Sequence, residues 1–167
     1  LWIAGGVIAV LGVGAAWLWT PDLKRKTLEG RYLEGAEDMV DVAGARLHVR
    51  VDGPREAPAV FMIHGFGSSL HTWEDWARGL QDSYRVVRFD LPGGGLSPPD
   101  PTGRYDDERA IELVEGLMQR YGLNEVALIG NSVGGRIAWR FAAARPDRVS
   151  RLVLVAPDGF ASQGFEY

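Results

Sequence analysis

Residues 126–139 read VALIGNSVGGRIAW, and this stretch decides the fold. A short apolar run of β-forming residues ends at Gly130, Ser132 follows two places later, and an apolar pattern of helical period restarts at Val133 and Ile137. The pattern predicts a strand, a tight turn and a helix in direct succession. Such a turn holds its serine in a strained backbone conformation, with the hydroxyl raised at the N-terminus of the helix.

The glycines at 130 and 134 suit this turn, because a Cβ two places before or after the serine would collide with neighbouring backbone. The spacing Gly-x-Ser-x-Gly alone is a weak signal in a chain that holds 22 glycines among 167 residues. The strand predicted before it and the helix predicted after it supply the context that makes it specific.

Composition limits the classes of function. Hydrophobic residues make up 46% of the chain, which is enough for a sizeable core. The net charge of −4, with both signs mixed along the chain, argues against a nucleic-acid-binding surface. Because the sequence has no cysteine, it excludes disulfides, thiolate chemistry and cysteine-bound zinc. We expect neither a metal nor a cofactor.

The first twenty residues form a separate segment. Residues 1–20 carry neither charge nor proline, and a helix of this length, about 30 Å, matches the hydrocarbon layer of a bilayer. We expect a single-pass transmembrane helix here, which places the protein at a membrane. Residues 21–38 are expected to form a juxtamembrane linker or a short amphipathic helix. A cleaved signal peptide and a buried core helix are the alternatives, and the orientation in the membrane stays open because only one flank is visible.

From Met39 onward, short strands and helices alternate. Strands are predicted at residues 39–42, 46–51, 58–63, 84–89, 125–129 and 151–155, and helices at about 70–80, 106–121 and 133–144. Residues 58–63 are apolar without interruption, which is typical of a parallel strand covered by helices on both faces. The order predicts an α/β domain over residues 39–167 with a mainly parallel sheet. Alternation over residues 46–51 places His48 on the polar face, where we expect it to be exposed.

Three loops follow the predicted parallel strands, at the edge of the sheet where functional groups gather. The first loop reads His64-Gly65-Phe66-Gly67, the second reads Asp90-x-Pro92-Gly93-x-Gly95-x-Ser97, and the third is the serine turn Gly130-Asn131-Ser132-Val133-Gly134. With these motifs in this order, the chain resembles the α/β-hydrolase family over about residues 39–160. Gly94 departs from the bulky residue common at its position in that family.

The resemblance implies that the third loop is a nucleophile elbow with Gly130, Asn131 and Gly134 in support of Ser132. It implies that the first loop is an oxyanion loop, with His64, Gly65 and Gly67 as its supporting residues. Serine at 132, in place of aspartate, sets the chain apart from the epoxide-hydrolase and haloalkane-dehalogenase branches. The expected reaction is cleavage of an ester, lactone, thioester, amide or carbon–carbon acyl bond in a small-molecule substrate.

The chemistry of such a site is acyl transfer through a covalent intermediate. The Ser132 hydroxyl would attack a carbonyl, and the backbone N–H groups of Phe66 and Val133 would hold the oxyanion that forms. We expect His64 to support its loop and His71 to lie on the surface.

The partners that a serine nucleophile needs are incomplete in the sequence. In this fold an acid and then a histidine follow the serine, but no histidine follows Ser132. We therefore expect the 167 residues to be the N-terminal part of a longer protein and to be nearly inactive alone. Asp158, just after the last predicted strand, is a candidate for the acid. The alternative function is a membrane-anchored α/β-hydrolase-like module that binds a ligand without catalysis.

Overall fold

The computed structural model describes residues 2–159, with side-chain burial for residues 5–7 and 10–159. Residue 1 of the predicted transmembrane segment and residues 160–167 of the predicted domain lie outside the described residues. The chain divides after Tyr32 into two units. The helices and strands are α1 (Trp2–Leu18), α2 (Arg25–Tyr32), β1 (Met39–Val42), β2 (Ala45–Asp52), β3 (Ala59–Ile63), α3 (Glu74–Leu80), β4 (Arg85–Phe89), α4 (Asp107–Tyr121), β5 (Val126–Asn131), α5 (Val133–Ala144) and β6 (Val149–Val155).

The first unit consists of α1 and α2. Helix α1 ends at Leu18 and has 17 residues, which corresponds to a rise of about 25 Å against a hydrocarbon layer of about 30 Å. Among residues 2–159, no helix combines the length and the apolar character needed to cross a bilayer. The predicted transmembrane helix over residues 1–20, and the membrane anchoring inferred from it, are therefore not supported. Within the predicted linker, α2 and a short 3-10 helix, Ala36–Asp38, are folded.

The second unit is built on a six-stranded sheet with the strand order β1-β2-β4-β3-β5-β6. The pairs β1–β2 and β2–β4 are antiparallel, whereas β3 pairs in parallel with β4 and β5, and β5 pairs in parallel with β6. The prediction of a mainly parallel α/β sheet is confirmed. The helix predicted over residues 70–80 begins with a 3-10 turn, Leu70–Trp73, before α3.

Strand β3 is fully buried because both faces of the sheet are covered. Phe61 and Ile63 point into a cluster that includes Leu113 of α4 and Phe141 of α5. The intervening side chains of β3 join a second, smaller cluster with α3 residues on the opposite face. The uninterrupted apolar run of β3 thus reflects a two-sided environment, and truncation of a side chain such as Phe61 to alanine would cost about 3–5 kcal/mol.

The parallel strands end side by side, which brings their exit loops together. Ile63 of β3 lies opposite Phe89 of β4 and Gly130 of β5. Asn131 of β5 lies opposite Val155 of β6. The residues that follow these positions therefore share one edge of the sheet, where the loops noted in the sequence meet.

Candidate active site

Ser132 occupies the bend between β5 and α5. Its backbone angles, φ 52° and ψ −118°, lie in a region that residues with a side chain rarely adopt. Such a conformation costs about 1–3 kcal/mol and persists only where the surroundings enforce it. Because Ser132 is the N-cap of α5, the positive end of the helix dipole lies beside it.

Two glycines permit the bend. A Cβ on Gly134 would lie 2.5 Å from the carbonyl oxygen of His64 and 2.6 Å from the carbonyl carbon of Ile63, so the start of α5 is pressed against the end of β3. A Cβ on Gly130 would lie 2.5 Å from the carbonyl carbon of Gly134. Real Cβ atoms do not approach backbone this closely, and the glycine spacing is therefore a packing requirement of the turn.

The end of β6 and the loop that follows it hold the backbone of the serine on both sides. The N–H of Ser132 donates to the carbonyl oxygen of Val155 at 3.2 Å, and the N–H of Asp158 donates to the carbonyl oxygen of Ser132 at 2.9 Å. The side-chain amide of Asn131 donates to the same Val155 oxygen at 3.0 Å. The predicted support residue Asn131 thus ties the bend to the neighbouring strand.

The loop after β3 approaches the serine from the other side. A Cβ on Gly65 would lie 3.1 Å from the Ser132 Cβ and 2.9 Å from the Asn131 side-chain oxygen, so glycine allows the close approach. The chain then turns at Gly67, which has a φ of 67°, and the Phe66 side chain is 93% exposed. The backbones of Phe66 and Val133, the two predicted oxyanion donors, belong to segments that meet at Ser132.

His64 fastens this loop to the one after β4. Its ring is buried, with Nδ1 2.7 Å from the carbonyl oxygen of Gly65, and its Nε2 accepts the N–H of Leu91 at 2.9 Å. These bonds require the neutral tautomer with the proton on Nδ1. Burial lowers the pKa of His64 below 6.5, although the Gly65 carbonyl and the Asp90 charge oppose this shift. His64 is therefore neutral at pH 7, with both ring nitrogens occupied.

A cavity of about 760 Å³ opens beside the bend, and both Phe66 and Val133 line it. The other walls come from the loop after β4 and from the first turns of α4 and α5. The volume is in the range of small-molecule sites. No group of three or more potential metal-binding side chains occurs in the described part of the chain.

Asp158, the candidate acid, lies in the loop after β6. One carboxylate oxygen accepts the N–H of Gly159 at 2.7 Å, and the other lies 3.5 Å from the Arg136 guanidinium. Its carbonyl oxygen accepts the indole N–H of Trp139 at 3.1 Å. The contacts of Asp158 thus connect this loop to α5.

The prediction for His48 was wrong. Its side chain is fully buried, and its Nδ1 lies 2.7 Å from a carboxylate oxygen of Asp90. The Ser97 hydroxyl accepts the N–H of His48 at 2.9 Å and donates to the carbonyl oxygen of Asp90 at 2.8 Å. Consecutive residues of β2 are buried around His48, so both faces of the strand are covered at this point. His71 is half-buried and lies 3.2 Å from Glu74.

Asp90 is the centre of this network, which sequence reasoning missed. Its carboxylate accepts the backbone N–H groups of Leu70 and Leu96 at 2.7 and 2.8 Å, in addition to the bond with His48. Burial by itself raises the pKa of Asp90, but these hydrogen bonds outweigh it and lower the pKa below 3.8. The motif from Asp90 to Ser97 was the sequence signal for this network, because it places two polar residues just after a buried strand.

Comparison with known proteins finds curated proteins with similar sequences. The chain is 38% identical over 112 residues to a putative 2-succinyl-6-hydroxy-2,4-cyclohexadiene-1-carboxylate synthase from Bacillus subtilis, covering 66% of this chain and 40% of that protein. It is 31% identical to epoxide hydrolase 4 from Mus musculus, covering 68% of this chain and 32% of that protein. The chain thus spans about a third to two fifths of the length of these curated relatives.

Solved structures also resemble this chain. A hydrolase from Pseudomonas aeruginosa PA01 superposes with a TM-score of 0.69 at 30% identity, over 74% of this chain and 47% of that one. Residues 58–166 match the family described as "alpha/beta hydrolase fold". This match covers more than half of the chain and includes all three loops at the edge of the sheet. The chain belongs to the alpha/beta hydrolase fold family.

Proposed function

We propose that this chain carries the nucleophile and the oxyanion hole of a serine hydrolase that acts on an ester-like acyl substrate. The Oγ of Ser132 attacks the substrate carbonyl carbon and forms a tetrahedral oxyanion. When the oxyanion collapses, the bond to the leaving group breaks, the leaving group takes up the proton that Ser132 gave to a base, and an acyl-enzyme remains on Ser132. Water then hydrolyses this ester and restores the hydroxyl.

The oxyanion is stabilised by the backbone N–H groups of Phe66 and Val133. The proximity of the Gly65 backbone to Ser132 supports this assignment, because it brings the following peptide towards the bend. The N-terminus of α5 adds a favourable partial charge at the same point. By comparison with a measured protease, one such donor contributes about 3–4 kcal/mol to the transition state.

The serine requires a base, and the contacts of His64 argue against that role for it. Both nitrogens of its ring are bonded to backbone groups, so neither is available to accept the serine proton. We therefore infer that a residue other than His64 is the base. Asp158 remains the candidate acid, with its carboxylate beside Arg136.

Serine favours acyl substrates over epoxides, although one relative is named an epoxide hydrolase. A carboxylate nucleophile that opens an epoxide leaves an ester, which water can hydrolyse. A serine hydroxyl would leave an ether, which is inert under the same conditions. The residue at 132 therefore supports transfer of an acyl group, from which the hydroxyl is readily regenerated.

The strained conformation of Ser132 at the N-terminus of α5 is the observation that carries the proposal. The proposed function is tested by treating the full-length protein with a fluorophosphonate probe and locating the adduct by peptide mass spectrometry. We expect labelling at Ser132 that is lost in Ser132→Ala and retained in Ser83→Ala, which alters an exposed serine after α3. A folded protein that takes up no probe would instead support the non-catalytic binding module.

A further inference from the structure

The cavity beside Ser132 has an apolar interior and a charged margin. Its apolar wall combines side chains from both exit loops and from the facing turns of α4 and α5. These side chains are Phe66, Leu91, Leu113, Val133 and Ile137. Leu113 is buried in the main core cluster, where its position is fixed by packing. An acyl group that enters the cavity therefore meets a largely hydrocarbon wall.

Two of the arginines that border the cavity are engaged by carboxylates of the same region. The Arg109 guanidinium is 5% exposed and lies 2.8 Å from both Asp100 and Glu112. The Arg104 guanidinium lies 3.0 Å from Asp106 and 2.9 Å from Glu112. These pairs place a carboxylate against each guanidinium, so neither arginine offers an unpaired cation to a ligand.

Arg136, one turn after Ser132, is the third arginine that borders the cavity. Its Nε lies 3.2 Å from Asp107, and its Nη1 lies 3.5 Å from Asp158. Asp107 also lies 3.4 Å from Arg140, so its carboxylate is shared between two guanidinium groups of α5. The remaining basic residue at the cavity is His64, which is neutral at pH 7. Among the described residues, each cation at the cavity thus faces a carboxylate.

On the basis of the proposed function, we propose that this cavity is the acyl pocket. It selects uncharged, apolar acyl groups over acyl groups that end in a carboxylate. A carboxylate placed here would lose hydration without gaining a cation that lacks a carboxylate partner, and it would lie near Asp107, which borders the cavity. An alkyl chain gains from burial against the apolar wall. The selectivity arises from charge pairing inside the cavity rather than from its size.

A matched pair of esters tests the selectivity in the full-length protein. The p-nitrophenyl ester of hexanoic acid and the mono-p-nitrophenyl ester of adipic acid share the leaving group and the number of acyl carbons. They differ only in the terminal carboxylate. We expect kcat/KM for the adipate ester to be lower by about tenfold or more, because the buried charge is uncompensated.

Asp107→Asn tests the origin of the selectivity. The substitution keeps the size of the side chain but removes the charge that Arg136 and Arg140 share. The ratio of kcat/KM for the adipate ester to that for the hexanoate ester should rise about threefold or more. The matched control is Glu115→Gln, which removes the Glu115–Arg145 pair near the other ends of α4 and α5. It should leave the ratio unchanged, because neither residue borders the cavity.

The outcomes separate this inference from the proposed function. If the wild-type protein hydrolyses the adipate ester as well as the hexanoate ester, the selectivity is refuted while the serine mechanism stands. If the fluorophosphonate labels Ser132 but neither ester is hydrolysed, the pocket does not accept a simple apolar acyl group and the inference also fails. If the probe does not label a folded protein, the proposed function itself fails.

Discussion

The backbone N–H of Asp158 donates a 2.9 Å hydrogen bond to the carbonyl oxygen of Ser132. A second hydrogen bond, from the Ser132 N–H to the carbonyl oxygen of Val155 at the end of β6, holds the other side of the strained residue. Ala156, between these two partners, has a φ of 44° and allows the loop to turn back towards the serine. The strain at Ser132 is thus balanced by hydrogen bonds with the end of β6 and with the loop that follows it.

Substitutions at Ala156 should change stability in opposite directions. Ala156→Gly is expected to stabilise the fold by roughly 0.5–1 kcal/mol, because glycine adopts a positive φ without steric cost. Ala156→Val is expected to destabilise it by about 2 kcal/mol, since a β-branched side chain is strongly disfavoured in that region. Urea denaturation gives both free energies of unfolding. Equal stability of the two variants would show that the loop does not retain this conformation.

Gly134→Ala should disrupt the bend. The added Cβ would lie 2.5 Å from the carbonyl oxygen of His64, so α5 must move away from β3. We expect a loss of at least about 3 kcal/mol in the free energy of unfolding. Labelling of Ser132 by fluorophosphonate should fall with it.

The control for this variant is Gly79→Ala in α3. Gly79 also lies in a helix, but a Cβ there meets nothing within 4 Å. Because alanine is the better helix former, Gly79→Ala should be neutral or stabilising by up to about 1 kcal/mol. Similar losses in both variants would contradict the close approach of α5 to β3.

Asp90 should make the folded state sensitive to acid. Hydrogen bonds from His48 and from two backbone N–H groups hold its pKa below the unfolded value of about 3.8 against the opposing effect of burial. A carboxyl with a depressed folded pKa contributes stability that is complete above the unfolded pKa and is lost as the pH falls through the folded pKa. The free energy of unfolding should therefore decline below about pH 4.

Asp90→Asn tests this assignment. The variant should lose about 3 kcal/mol at pH 7, because an amide cannot accept all three hydrogen bonds, and its stability should fall less steeply below pH 4. Asp41→Asn, which alters an exposed carboxylate on β1, should retain the wild-type pH dependence. If the free energy of unfolding of Asp90→Asn falls as steeply below pH 4 as that of the wild type, another group causes the acid sensitivity.

Several features were predictable because they arise from local constraints. The bend at Ser132 needs glycine at 130 and 134, and a strand such as β3 that is covered on both faces must be apolar throughout. Both requirements are met by residues that lie close together in the sequence, so they can be recognised from the sequence alone. The sequence by itself therefore determined the strand-turn-helix unit, the parallel arrangement and the order of the loops.

Other features were decided by tertiary structure. Residue alternation in β2 shows which side chains share a face, but the position of the strand inside the sheet decides that His48 is buried against Asp90. Likewise, the bonds that brace Ser132 join residues more than twenty positions apart. Periodicity within one segment carries no information on such contacts, because they exist only once the strands are placed side by side.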